Sequence, residues 1–242
     1  MNKKLSNIFI MLDKIIELES IVSVKEQLSR VEQIASEDFI GQEALLNLLI
    51  DRCITQQLEP SSLDGILFEV LYNSNFDQIR QNLRSYFEDG IVELKSKPVL
   101  KIDYKPLQKL LINKHYRQAD RLTQIYLCQL AGLDGDSKRK WLYFTDIQSL
   151  PSEDLAMIDL LWRLYSRNKF GFSRQRKIWL SNNCNWEKLW IRIGWKNGGV
   201  ACRYPDEFMW SIDAPQGHLP LFNQLRGVQV LSALFDHIVW NS

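Results

Sequence analysis

The residues of this 242-residue chain best suited to chemistry are aromatic and cationic. Asn168 to Trp179 reads NKFGFSRQRKIW, two phenylalanines around a glycine with arginines and a lysine close behind. Its first half resembles part of the RNP1 signature, in which aromatics on a strand present flat faces for bases to stack on. The context argues against that use. RNP1 needs a glycine before the first Phe and V-x-F/Y after the second, on a strand of a four-stranded sheet. Here Lys169 precedes Phe170 directly, Ser173-Arg174-Gln175 follows Phe172, and the segment runs into a helix-forming stretch.

The same pairing of rings and cations recurs further on. Trp186 and Trp190 are followed by Ile193-Gly-Trp-Lys196, then Arg203-Tyr204-Pro205 with Phe208 and Trp210, then Ala214-Pro-Gln-Gly-His-Leu-Pro220. Trp162, Trp179 and Trp190 sit at helical spacing among apolar neighbours and read as core. Phe172, Tyr204, Phe208 and Trp210 lie in glycine- and proline-rich loops, where backbone polar groups resist full burial. Loop aromatics beside cations suit a flat apolar ligand with acidic edges; a nucleobase tract is one and a tetrapyrrole another.

Other chemistries lack their residues. There is no GxGxxG, Walker loop, HExxH, GxSxG or C-x-x-C-H. His115, His218 and His237 are not at metal spacing. Asp134-Gly-Asp136 begins like a calcium loop, but Lys138 stands where a third oxygen ligand belongs, so it reads as a solvated turn. His218, between Gly217 and Leu219-Pro220, reads as a loop-fixing hydrogen-bonder, and Asp120 and Asp159 as structural hydrogen-bonders. The four scattered cysteines contain no CxxC pair and read as thiols of a reducing compartment. An enzyme with its own nucleophile or metal centre is therefore not expected.

Two kinds of sequence must position these residues. Residues 1–101 carry 11 Lys/Arg against 16 Asp/Glu, a net of −5; residues 102–242 carry 19 against 13, a net of +6; and all eight tryptophans fall between 141 and 240. The first ~90 residues show five short period-3.6 stripes. They run through Ile8-Met11-Leu12-Ile15-Ile16, Leu28-Val31-Ile34, Leu45-Leu48-Leu49, Ile66-Leu67-Val70-Leu71 and Phe76-Ile79-Leu83-Phe87. The expected organisation is a helical bundle over 1–90, a linker over 91–101 and a core over 102–242. In the core, helices are expected near Tyr104–Leu111, Ala119–Leu130, Pro151–Tyr165, Gln175–Leu180 and Leu221–Phe235, with long loops between. No period-2 series stands out, so the class is all-α. Charged residues interrupt the N-terminal apolar stretch too early for a secretory core or a membrane span, and it is poor in Ser and Arg for a transit peptide.

The run Asp154-Leu-Ala-Met-Ile-Asp-Leu-Leu-Trp162, with Asn168-Lys-Phe-Gly-Phe-Ser173, Ile193-Gly-Trp-Lys196 and Ala214-Pro-Gln-Gly-His-Leu-Pro-Leu-Phe-Asn-Gln-Leu-Arg-Gly227, resembles the Genomes Uncoupled family over about residues 102–240. These are tetrapyrrole-binding proteins that stimulate magnesium chelatase in oxygenic phototrophs. The resemblance implies an all-helical core shaped like a cupped hand. Its ligands would be protoporphyrin IX and Mg-protoporphyrin IX, its partner the large porphyrin-binding subunit of the chelatase, and its role non-catalytic.

Carried over residue by residue, Phe172, Arg203, Tyr204, Phe208 and Trp210 would line the cleft, with Phe172 in ring contact and Phe170 in the core. Asn223 would face the magnesium, and Arg226 would hold a propionate. Tyr204 replaces a frequent family Trp, and Gln229 replaces a second family cation, for which Arg203, Lys177 or Arg174 would have to substitute. The implied setting is the plastid stroma or a cyanobacterial cytoplasm, with peripheral membrane association and no nucleic acid. The rival reading is a protein-interaction or sensory module that binds porphyrin weakly or not at all.

Overall fold

Leu45, Leu46, Leu48 and Leu49 are buried on one helix whose exposed side is a narrow stripe through Ile40, Glu43 and Asn47, and a helix apolar over most of its surface lies at the centre of what surrounds it. This helix is α3 (Asp38–Ile50), and it packs against α1 (Asn2–Ser20), α2 (Val24–Ala35), α4 (Ser62–Tyr72) and α5 (Asp77–Tyr86). The computed structural model describes residues 2–88, 90–92, 100–133, 139–221 and 228–241, the side chains of 2–10 and 241 excepted. The chain divides into two compact units, 1–92 and 93–242.

The first unit holds the five expected helices. The buried face of α1 differs from the expected stripe. Met11 and Leu18 are buried, whereas Leu12 and Ile16 are exposed, so the inward row follows i and i+7 through Met11 rather than the most apolar residues. α3 continues into a short π-helical turn, Asp51–Thr55, which carries Arg52 inward. Arg52 donates from Nε to Asp64 Oδ1 at 2.7 Å, from Nη2 to Asp64 Oδ2 at 3.3 Å and from Nη1 to Glu19 Oε1 at 3.1 Å. Asp64 also accepts from the Ser61 amide at 2.8 Å and its hydroxyl at 2.7 Å, closing a capping box on α4. The Asp64 bonds push the Arg52 guanidinium further up from its ordinary value. Three segments distant in sequence are thereby tied by one charge cluster.

The second unit is built on α6 (Lys105–Ile112), α7 (Tyr116–Leu130), α8 (Phe144–Ile147), α9 (Ser152–Leu164), α10 (Phe172–Ser181), α11 (Trp186–Arg192) and α12 (Val228–Phe235). Its centre is Trp162 on α9, stacked on Tyr116 with centroids 6.1 Å apart and meeting Phe170 edge-on; its indole donates to Thr123 Oγ1 at 3.0 Å. Trp162 is fully enclosed as expected, but Trp179 and Trp190 are only half-buried. Trp179 instead joins a surface-reaching stack with Trp186 and Phe235. Asp154 receives the Lys101 amide at 3.1 Å and the Tyr104 hydroxyl at 2.8 Å, pinning the entering chain to α9.

The fold is all-α apart from one feature the periodicity did not reveal. Strands β1 (Lys196–Asn197) and β2 (Val200–Ala201) form a two-residue antiparallel hairpin around Gly198 and Gly199, both at positive φ. A Gly-Gly pair is the sequence signal for such a turn, too short to show alternation. Helix α12 begins at Val228; Leu221 lies outside it, and 222–227 are outside the described residues.

Asp64→Ala removes the shared acceptor and strands a buried guanidinium. We expect the first unit to lose about 3 kcal/mol, read as an earlier loss of far-ultraviolet helical signal in urea.

Candidate functional site

The Phe-Gly-Phe-Ser stretch is shaped by Asp159. Gly171 caps α10 with φ 125° and ψ 155°, a region that only glycine occupies freely. A Cβ there would lie 2.8 Å from Asp159 Oδ1 and 3.0 Å from Arg163 Cγ. Asp159 accepts from the Ser173 amide at 2.8 Å, the Ser173 hydroxyl at 2.7 Å and Arg163 Nε at 2.7 Å. The residue expected to be a structural hydrogen-bonder is thus the side-chain cap of α10. Phe170 and Phe172 are both fully buried, so Phe172 is enclosed by protein in this conformation.

The glycine-rich turn is laced to the long loop 203–221. The Gly171 amide donates to Leu219 O at 3.0 Å, the Gly217 amide to Lys169 O at 2.9 Å, and Lys169 Nζ to Ile212 O at 2.6 Å. Gln175 Nε2 donates to Gly217 O and Pro220 O at 3.0 and 2.8 Å. Trp195 Nε1 donates to His218 O at 2.8 Å. His218 is the keystone of the loop: its Nε2 accepts from the Met209 amide at 3.0 Å, and its Nδ1 lies 2.6 Å from Ile193 O. An acceptor at Nε2 leaves the proton on Nδ1, so the ring is neutral. Burial holds its pKa below the usual histidine value. With both nitrogens engaged, it has no lone pair left for a metal.

On this frame the structure brings four of the expected site residues together. Tyr204 meets Trp210 edge-on at 6.0 Å, Phe208 lies 6.4 Å from Trp210 and 5.6 Å from the His218 ring, and Trp210 Nε1 donates to Pro205 O at 2.9 Å. Arg203 is exposed, its amide donating to Glu207 Oε2. Phe208 is buried, whereas Tyr204 is 47% exposed and Trp210 half-exposed. Asn223 and Arg226 lie outside the described residues, as do Asp134, Asp136 and Lys138 of the calcium-like turn. Of the cations offered as substitutes, Lys177 is exposed and Arg174 half-buried beside Arg163, its guanidinium held below its ordinary value by burial. Arg176 is committed to Phe235 O at 2.6 Å.

Three residues on α7 complete this face, two of which the sequence reading missed. Tyr204 is held above the usual tyrosine range by burial and by the charge of Asp120, against the pull of Arg117 and Arg121. Arg117 and Arg121 are exposed, one helical turn apart. The available signal was their i, i+4 spacing beside the inward-facing Ala119 and Thr123. Asp120 is buried and accepts the Leu221 amide at 2.6 Å.

A groove of about 650 Å³ lies between α8 and α12, within the size range of small-molecule sites. Phe144, Val228, Ala233 and Ile238 supply its apolar wall; Gln148, Gln229 and Asp236 supply polar groups. The Phe144 side is braced by Arg139, which binds Asp146 at 2.6 and 3.2 Å while its guanidinium lies 4.4 Å from the Tyr143 ring centre. That pairing holds Asp146 below the usual carboxylate range. His237 lines the groove with Nε2 3.1 Å from Leu150 O and Nδ1 accepting the Val239 amide. None of the five described site residues expected from the sequence lines this groove. Leu221, tied to α7, and Val228, on the groove wall, are seven residues apart, so the two faces lie within about 25 Å of each other. Among the described residues no cluster of three His, Cys, Asp or Glu side chains is placed to hold a metal ion, and no helix is long and apolar enough to cross a membrane.

Gly171→Ala should cost the second unit about 2–3 kcal/mol, read in thermal or urea unfolding. For His218, a depressed folded-state pKa means that the stability of the neutral ring is fully present above pH 6.5 and is lost as pH falls through the lower folded value. Between pH 6.5 and 5 the wild type should lose up to about 1.4 kcal/mol per pH unit relative to His218→Gln. Gln keeps one donor and one acceptor without titrating, and equal slopes for the two proteins would contradict the assignment.

Comparison with known proteins places this architecture. The Ycf53 protein of Pyropia yezoensis is 46% identical over 220 residues, covering 91% of this chain and 92% of that one. The chloroplastic tetrapyrrole-binding protein of Arabidopsis thaliana is 37% identical over 140 residues, 54% of this chain and 52% of that one. The structure of GUN4 from Chlamydomonas reinhardtii superposes with a TM-score of 0.55 at 40% identity, covering 62% of this chain and 95% of that chain. The profile of the GUN4-like family matches residues 98–238, more than half of the chain, and the chain belongs to that family.

Proposed function

We propose that this protein binds protoporphyrin IX and Mg-protoporphyrin IX and stimulates magnesium chelatase through that enzyme's large porphyrin-binding subunit, raising flux into chlorophyll synthesis. The observation that carries the reading is the groove lined by Phe144, Val228, Ala233 and Ile238; partly exposed Tyr204 and Trp210 with the exposed Arg117 and Arg121 of α7 form a second face. A relative named as a tetrapyrrole-binding protein supports the ligand class. A macrocycle is flat and apolar with two carboxylates on one edge. The groove wall of Phe144, Val228, Ala233 and Ile238 suits its faces, and we assign its edge to Arg117, Arg121, Arg203 and Arg226.

The magnitudes fit. Burying roughly 400 Å² of apolar ring contributes on the order of 10 kcal/mol gross, association costs remove several of those, and each Arg–carboxylate bond restores about 1.5–3 kcal/mol. Micromolar or tighter binding follows without a covalent bond. Bound magnesium is a hard ion that takes oxygen ligands, and the side-chain oxygen of Asn223 is the proposed axial donor. Tyr204 and Trp210, both partly exposed, are the rings we assign to a face of the macrocycle. We assign the protein a regulatory, non-catalytic role in a plastid stroma or cyanobacterial cytoplasm, with peripheral membrane contact part of the same proposal.

Protoporphyrin IX titrated into the protein should quench tryptophan fluorescence saturably at micromolar concentration. Arg117→Ala, Arg121→Ala and Arg226→Ala should each weaken binding about ten- to a hundredfold. Added to purified magnesium chelatase, the wild type should raise turnover. Absence of quenching at micromolar porphyrin would refute the reading. Tight partner binding with unchanged turnover would favour an interaction module instead.

A further inference from the structure

Four aspartates are buried among the described residues: Asp64, Asp120, Asp154 and Asp159. Three are well supplied with donors. Asp64 has Arg52, the Ser61 amide and the Ser61 hydroxyl; Asp154 has the Lys101 amide and Tyr104; Asp159 has Arg163, the Ser173 amide and the Ser173 hydroxyl. Asp120 has one, the Leu221 amide at 2.6 Å. Its carboxyl is 4% exposed, and a buried carboxylate with a single neutral donor is poorly compensated. Burial pushes its pKa up to about 8, opposed by the Leu221 hydrogen bond.

Other charged and polar groups stand near it. Arg117 and Arg121 are on its own helix and exposed. Across from it on the 203–210 loop is Tyr204, raised above the usual tyrosine range and so neutral below pH 10. Gln175, which binds the Pro220 carbonyl beside Leu221, does not ionise. Asp120 is thus the group whose burial brings its ionisation near pH 8. It stands on α7 beside Arg117 and Arg121, the exposed cations proposed for the ligand's carboxylate edge.

We propose that Asp120 is a positioning residue operated by a proton: its neutral carboxyl anchors Leu221 and admits an anionic tetrapyrrole, and its ionised form opposes that ligand. The inference rests on the tetrapyrrole-binding reading above. The ligand's propionates are ionised throughout this range and bring negative charge towards Asp120. Like charges disfavour ionisation, so the bound complex holds the proton more tightly than the free protein. Linkage then requires that binding take a proton up from solvent and that affinity fall as pH rises through the free-state value. The carbonyl oxygen of the neutral acid accepts the Leu221 amide throughout. An asparagine in its place would keep that acceptor and never ionise.

The test is protoporphyrin IX affinity of the full chain, by tryptophan quenching, at intervals from pH 7 to 9.5, with calorimetry at pH 8 in two buffers of different ionisation enthalpy. The wild type should weaken at least about fivefold across the range, bounded by tenfold per pH unit for one proton, and calorimetry should record proton uptake. Asp120→Asn should bind with one affinity across the range, and Asp120→Ala, lacking the acceptor, should bind more weakly than Asp120→Asn at every pH. The calorimetric count uses the wild type alone and stands even where a variant fails to fold. Saturable binding with flat affinity and no proton uptake would overturn the proposal while leaving the function intact, as would a slope that persists in Asp120→Asn. No binding at any pH would overturn the function and this coupling with it.

Discussion

A stretch of nineteen residues without helix or strand, 203–221, can be held in place only if its peptide groups find partners one at a time. Every other feature of the candidate site depends on that. His218 bridges Met209 and Ile193, Trp195 takes the His218 carbonyl, Gln175 takes two carbonyls, and Gly171 and Gly217 exchange bonds with Leu219 and Lys169. These partners come from α10, from the turn before it and from the start of the hairpin. The loop is therefore fixed by elements whose own packing is set by Trp162 and Phe170. Tyr204 and Trp210 stand partly exposed because the chain beneath them is tied down.

Charge is distributed with the same economy. The buried acids that cap helices or pin incoming chain, Asp64, Asp154 and Asp159, each gather two or more donors. Asp120, where α7 meets the end of the loop, gathers one. Among the described residues, the least-compensated buried carboxylate stands beside Arg117 and Arg121, the cations proposed for the ligand's edge. That pattern is the one expected where perturbed ionisation serves a function rather than stability.

Much of the fold was legible in the sequence. The five N-terminal stripes became α1 to α5, and Leu155, Ile158 and Trp162 became the buried face of α9, because burial enforces the 3.6-residue period. Where tertiary context decided, local pattern misled. Leu12 and Ile16 face outward, Trp179 and Trp190 reach the surface, and a hairpin of two-residue strands is too short to alternate. The site was legible in part. Tyr204, Phe208 and Trp210 were recognisable as loop aromatics, and the family resemblance drew attention to them. The groove wall was not, since Phe144 comes from α8 while Val228 and Ala233 come from α12 and Ile238 from the 3-10 turn after it, and no local window contains them all. Arg117 and Arg121 look like ordinary solvated helix cations until Tyr204 is set opposite them.

The central claim is that one ligand spans the two faces joined by 222–227. Hydrogen–deuterium exchange on the full chain, with and without saturating Mg-protoporphyrin IX, tests it most directly. The account predicts that protection rises together in 116–121, 203–210, 144–148 and 228–238, with the first unit unchanged. Protection confined to the first unit, or to the stack of Trp179, Trp186 and Phe235 without the α7 face, would contradict it.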